Sequence, residues 1–393
     1  MNRLVRIIVI LLAITSVVIA GDTIEESFEI SPGELLEMDL ETGGSIAIVG
    51  WDKNEVSVKV YLSGRDWEDC EVEFDKKSSG LEIISRYDSY RRNKNARVEF
   101  EIQVPNKFDL DLETNGGTIE LDNIEGNLQG KTLGGSLDFQ NLTGDLYFRT
   151  NGGSIDCSNI KGEADLKTNG GSITCSDSEI NGRAHTNGGS VRMRNVAGDF
   201  KCTTNGGRVI YDNDEDFKGK SSNDVIRIKT MGGSIDVVEA PLGADVHTNG
   251  GDIEIKSAGE FVKAHTNGGD IYIGQVDGWV DVDTYGGDIT VAVTGDGTES
   301  GKDIEMRSNN GEIELTLPAN FSGEFDIELA YTKRGRRQYK IISDFDLKTR
   351  ESDDWDYDRG SPRKYIDGTG VVGDGKNKVR ITTINGDIII KKD

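Results

Sequence analysis

The chain has 393 residues and a net charge of −25, which argues against a nucleic-acid partner and against electrostatic docking on an anionic bilayer. Fifty glycines against five prolines, without low complexity, point to turn-rich all-β structure, and 35% apolar residues are enough for a thin core. There is no G-x-S-x-G, no H-E-x-x-H and no phosphate loop, so nothing marks a nucleophile, a zinc hydrolase or a nucleotide site.

Residues 1–20 read as a secretion signal. Arg3 and Arg6 supply the charged start, 7–18 the apolar run, and Val18-Ile19-Ala20 a small-residue cleavage site. The apolar run is short for a membrane span and no second one follows, so no stable span is expected. The expected location is the periplasm, the cell surface or the extracellular space.

Residues 21–109 are expected to form an N-terminal β cap. Residues 39–49 carry a first loose copy of the repeat described next, and 56–62 and 98–104 alternate apolar and polar like strands. Residues 86–97 are basic and aromatic and read as an exposed loop.

Residues 110–317 are dominated by one repeat, typified by Thr150-Asn151-Gly152-Gly153-Ser154-Ile155-Asp156. The Gly-Gly pair begins at Gly116, Gly134, Gly152, Gly170, Gly188 and Gly206, then at Gly232, Gly250, Gly268 and Gly286, with a spacing of 18 inside each run. The interval between the runs holds an insertion around Asp212, Asn213, Asp214, Glu215 and Asp216, expected to bulge without breaking the stack. Thr stands two places before every pair, and apolar residues follow at alternate positions, as in Ile155 and Cys157 or Ile271 and Ile273. That alternation is a strand with one buried face. A mid-unit glycine (Gly126, Gly144, Gly162, Gly198, Gly278) marks a bend, and no unit has room for a helix.

A unit this short cannot bury a core alone, but stacked units can, with equivalent strands parallel and about 4.8 Å apart. The expected fold is therefore an all-β, right-handed parallel β-solenoid, or β-helix, of about 18-residue coils with irregular β caps. The Gly-Gly pair is expected to supply positive φ and close backbone approach, and the Asn before it to tolerate left-handed geometry and stack its amide. Thr shares the parity of the apolar positions, so it should face inward at the corner. Residues 318–393 should close the stack with further coils and a cap, a basic turn at 331–337 and an acidic aromatic loop at 353–358.

Several constellations are candidate sites. Asp252, Asp270 and Asp288 follow the glycine pair in three successive units, where most earlier units have Ser, and Glu312 extends the column. Stacked like charges repel, and a Ca²⁺ ion between turns would relieve them. The plainer reading is that Asp caps its turn as Ser does elsewhere. Ca²⁺ is the one cofactor candidate, and the repeat lacks the G-G-x-G-x-D spacing of calcium β-rolls. Asp354, Asp356 and Asp358 with Gly360 resemble the start of an EF-hand loop, with the glycine one place late. His185, His247 and His265 share one outward column, where the neighbours His247 and His265 could form a metal pair or pH switch, but the mixed charges of that column fit a solvated face. Cys157 and Cys175 share a column one unit apart, near bridging distance, but in a buried column that favours free thiols.

The recurring T-N-G-G-[SD]-I units resemble the bacterial "putative adhesin" family of unknown function, as do Arg97-Val98-Glu99-Phe100-Glu101-Ile102-Gln103-Val104-Pro105 and Thr383-Ile384-Asn385-Gly386-Asp387-Ile388. The resemblance covers roughly residues 39–391 and implies a β-helix-like solenoid. It brings no functional residues. The resulting expectation is an exported, non-catalytic, adhesin-like protein presenting a surface to a protein partner, glycan or matrix. The alternatives are a polysaccharide-active β-helix enzyme, which would need a groove with clustered carboxylates, and a structural envelope scaffold.

Overall fold

The computed structural model describes residues 21–88, 95–213, 225–333, 338–357 and 361–393. The expected secretion signal lies outside these residues. So do 89–94 of the basic segment, 214–224 of the insertion, 334–337 of the basic turn, and Asp358 and Gly360 of the acidic loop.

The described residues are all-β, and hydrogen bonds join their strands into one sheet. A single 3-10 turn occurs among the described residues, at Trp67–Asp69. No helix among them is long and apolar enough to cross a membrane.

The glycine period appears directly in the strand register. Strands that follow the Gly-Gly pair form one parallel ladder, Ile46 beside Ile119, then Leu137, Ile155, Ile173, Val191 and Val209. It continues through Ile235, Ile253, Ile271, Ile289 and Ile313 to Ile388. Strands that precede the pair form a second parallel ladder, in which Thr114, Thr132, Thr150, Thr168, Thr186, Thr204 and Thr230 stand in register. The acidic insertion falls between Thr204 and Thr230 and leaves both ladders in register. In Ile119–Thr132 and Leu137–Thr150 the strand runs unbroken through the mid-unit bend.

Inward positions are apolar and fully buried, Ile155, Cys175, Val191 and Ile273 among them. Burying each such side chain stabilises the fold by about 1.5–3 kcal/mol, which is what holds units too small to fold alone. The threonine column is buried too. Thr150 Oγ1 donates to Gly135 O of the preceding unit at 2.7 Å and accepts Gly153 N–H at 3.2 Å. Thr168 and Thr186 repeat both bonds. A hydroxyl is thus buried at each corner with donor and acceptor satisfied, which removes the cost of burying it.

Two details of the corner differ from expectation. The Gly-Gly pairs of the regular repeats do not adopt positive φ, and neither do the asparagines before them. The second glycine is needed for close approach alone: a Cβ on Gly153 would stand 2.0 Å from Gly135 O, against 3.5 Å from Gly134 O for one on Gly152. Left-handed backbone lies instead at the opposite corner, at Asn141 (φ 55°), Asn159 (φ 53°), Asp177 (φ 50°) and Asn195 (φ 54°). These residue types tolerate that region because their short polar side chains bond locally. Asn159 Nδ2 donates to Asn141 Oδ1 at 2.7 Å and Asn195 Nδ2 to Asp177 Oδ1 at 2.8 Å. The stacked amides expected beside the glycine pair are present as well: Asn169, Asn187 and Asn205 each donate to the asparagine one unit earlier at 2.8–2.9 Å.

Both ends depart from the repeat. Gly21–Glu29 pairs antiparallel with Glu55–Gly64, which pairs antiparallel with Ala96–Pro105, and the latter lies parallel on Ser45–Trp51. Near the other end Ser308 is in register with Thr383, so one more unit follows a long insertion. Within the insertion Gly323–Thr332 pairs antiparallel with Arg363–Val372 and also runs parallel beside Asn377–Ile384.

Candidate functional site

The aspartate column is built as a chain of caps. Asp252 Oδ1 accepts the N–H of Asp270 at 2.9 Å, Asp270 Oδ1 that of Asp288 at 2.8 Å, and Asp288 Oδ1 that of Glu312 at 2.7 Å. Serines fill the same role earlier, where Ser154, Ser172 and Ser190 N–H bond the serine one unit before at 3.1–3.3 Å. One oxygen of each carboxylate is therefore engaged by the backbone of the next unit. Among the described residues no group of three or more His, Cys, Asp or Glu side chains is arranged to hold a metal ion. Asp356 Oδ2 accepts the Tyr365 hydroxyl at 3.1 Å, and the rest of the EF-hand-like run falls partly outside the described residues.

The histidines occupy the outward column, half-buried. His247 and His265 stack with ring centroids 4.7 Å apart and planes 9° from parallel. His265 Nδ1 contacts Asp283 Oδ2 at 2.5 Å, and His185 Nδ1 contacts Thr203 Oγ1 at 2.8 Å. Cys157 and Cys175 are direct neighbours in register and are free, buried thiols. The hydrogen bond with Cys175, then burial, pushes the Cys157 thiol well above its ordinary pKa, and burial does the same to Cys202. Both are therefore poor nucleophiles.

A cleft of about 720 Å³ opens on the outer face where the regular array meets the C-terminal insertion. Four strands supply its floor: Trp279–Thr284, Ile304–Ser308, Asn377–Ile384 and Gly323–Thr332. Their register aligns Asp281, Glu305, Arg380 and Asp326 in one outward row, while Val280, Ile304, Val379 and Phe325 beside them point into the core. Trp279 lies at one side of the cleft, 39% exposed, and stacks on Phe261 with centroids 4.6 Å apart and planes 8° from parallel. One wall is the segment around Gly301 and Asp303. It is pinned by Lys302, whose buried ammonium bonds Asp277 and, at 2.9 Å, Thr294 O. Lys302 N–H also donates to the buried Asn377 Oδ1 at 3.0 Å.

Sequence reading missed this cleft. Its side chains come from stretches as far apart in sequence as Trp279 and Arg380, and only the pairing of Ser308 with Thr383 brings them together. The one local signal was Trp279, which with Phe261 one unit earlier puts an aromatic in a column that is otherwise mostly polar.

No family model matches the chain, and neither does any curated protein. Among solved structures it is similar to a "putative cell adhesion protein" from Clostridium sporogenes at 11% identity, over 95% of this chain and 100% of that one, with a TM-score of 0.17. A "putative lipid binding protein" from Parabacteroides distasonis aligns at 12% identity over 73% of this chain and 98% of that one, with a TM-score of 0.28. A "putative adhesin" from Bacteroides fragilis aligns at 11% identity over 95% and 97%, with a TM-score of 0.18. These scores are too low to carry an argument from any of the three to the present chain, so its function has to be argued from its own residues.

Proposed function

We propose that the protein is an exported, non-catalytic, adhesin-like β-solenoid that presents its outer face to a protein partner, glycan or matrix. The carrying observation is the contrast between columns. Inward positions repeat Thr and aliphatic residues unit after unit, whereas one outward column runs Glu113, Lys131, Arg149, Lys167, His185, Thr203. Regular inner columns serve packing, and outer ones that vary are free to serve recognition. In this reading residues 1–20 direct export, 21–109 cap the solenoid, 110–317 form its regular coils, and 318–393 close it with further coils and a cap. Right-handed winding is the choice consistent with parallel crossovers.

The test is binding of the purified, labelled protein to intact cells and to immobilised glycans, beside fractionation of the native cells. Alanine substitutions across an outward column should reduce capture, and unchanged capture counts against a presenting surface. The cleft gives one observation in favour of a second reading. Its carboxylates are the clustered groove that a polysaccharide-active enzyme needs. A glycan-cleavage screen separates the two, since turnover abolished by a single carboxylate-to-amide change would establish catalysis.

A further inference from the structure

We propose that the cleft beside Trp279 binds a neutral saccharide, one ring stacked on the indole and its hydroxyls held by the carboxylates and Arg380. The inference rests on the surface-presentation reading above and assigns it a place and a ligand class.

The first argument is the indole itself. Phe261 covers one face of Trp279 in a near-parallel stack. One unit further along the ladder Val280 pairs with Ile304, so the position that follows Trp279 in its own column is Asp303, which is not aromatic. The aromatic stack therefore stops at Trp279, and the cleft begins on that side, bounded by Lys378 and Glu324. A flat apolar plate left facing water next to a polar trough suits a ligand with one apolar face and a polar rim. A pyranose ring has that form, with C–H bonds on its faces and hydroxyls around its edge.

The second argument is charge. Three of the five carboxylates lining the trough already have cationic or N–H partners. Asp303 Oδ1 accepts the Lys378 backbone N–H at 2.8 Å, Asp326 faces Arg380 at 3.6 Å, and Glu305 pairs with Arg307. Partnered carboxylates are positioned acceptors for hydroxyl donors and do not demand a cation. An anionic ligand would meet five carboxylates against Lys378 and Arg380, in a protein already at −25.

The third argument is rigidity. The wall at Gly301–Asp303 is fixed by the buried Lys302 and Asn377, so the trough exists before any ligand arrives. A preformed trough of this volume lies inside the range of small-ligand sites, about 300–1,000 Å³. It holds a short oligosaccharide without paying for loop ordering.

The experiment titrates the purified full chain with cellohexaose, maltohexaose and mannohexaose, and with a cationic glucosamine hexamer and an anionic galacturonate hexamer. Calorimetry gives affinity, and the indole N–H resonance of Trp279, assigned through Trp279→Phe, reports location. At least one neutral hexamer should bind with a Kd of about 0.1–1 mM and move that resonance. Trp279→Ala and Glu324→Gln should each weaken it at least ten-fold. Glu324 is exposed, so its amide variant keeps the fold and separates a binding loss from a folding loss. The proposal is overturned if no neutral hexamer moves the Trp279 signal at about 10 mM, if only a charged hexamer binds, or if binding survives both substitutions. Cell capture that persists in Trp279→Ala alongside a silent cleft removes this inference and leaves the presenting surface standing. Saccharide bound and then cleaved keeps the cleft assignment and removes the non-catalytic reading.

Discussion

Alanine substitution at the two glycines of one pair gives the sharpest test of the corner. A Cβ on Gly153 would lie 2.0 Å from Gly135 O and 2.4 Å from its carbonyl carbon. That oxygen accepts the buried Thr150 hydroxyl at 2.7 Å. Relieving the overlap means parting two units by about 1 Å, against a parallel spacing of about 4.8 Å. Overpacking of this kind costs about 1–3 kcal/mol. Losing the buried Thr150 bond adds about 1–3 kcal/mol. Gly153→Ala should therefore destabilise by about 2–6 kcal/mol. At Gly152 the same methyl meets Gly134 O at 3.5 Å, an ordinary contact, and the backbone there is not left-handed. Gly152→Ala should stay within about 1 kcal/mol of the parent, and lowered unfolded-state entropy can make it slightly favourable. Urea unfolding followed by far-UV circular dichroism gives the global comparison. Stacked units need not unfold in one step, so exchange of the Ile155 amide, which donates to Ser172 O at 2.9 Å, supplies the local readout. Equal losses at both glycines, or none at either, would refute the close-approach account.

The remaining predictions address single columns. Thr168→Val keeps shape but leaves Gly153 O and Gly171 N–H without their partner, so it should cost about 1–3 kcal/mol in urea, while Thr168→Ser should cost about 1 kcal/mol through the lost methyl. Asn159→Ala forces alanine into φ 53° and should cost about 1–2 kcal/mol, whereas Asn159→Gly should be closer to neutral; reversal of that order would count against the left-handed corner. Asp270→Ser should retain the cap to Asp288 N–H and Asp270→Ala should lose about 0.5–1.5 kcal/mol; a midpoint that rises on adding millimolar CaCl₂ in the parent and not in Asp270→Ser would establish calcium binding at the column, and an unchanged midpoint would leave the carboxylates as turn caps. Burial, then the hydrogen bond with Glu351, pushes the Tyr331 phenol up to about 12. Since the unfolded phenol ionises near 10, its contribution is intact below that pH and is lost as pH rises from about 10 to 12. Ultraviolet titration should show this late phenolate, and Tyr331→Phe should remove it.

What the sequence disclosed and what it withheld follow from the range of the forces involved. A unit that recurs every 18 residues imposes its register on every neighbour, so the strands, the buried Ile155 and Ile173 and the inward threonines were all legible from spacing. The reason for the glycines was harder to see. Positive φ and close approach both select glycine, and only coordinates show that Gly153 has the second need and not the first. The true left-handed corner sat in plain view as Asn123, Asn141, Asn159 and Asn195, but asparagine is also common in ordinary turns, so the column carried no distinct meaning until its φ values were known. The cleft was out of reach for a different reason. Its floor depends on the strand after Ser308 being the one at Thr383, with the intervening chain turned back antiparallel along Gly323–Thr332 and Arg363–Val372. No local pattern encodes that choice; it is made by which open strand edge each segment can cover. The repeating part is committed at each inward position to packing and at each corner to its hydrogen bonds, which leaves only its outward columns free to vary, whereas the least periodic part can also fold back to build a recessed site such as the cleft.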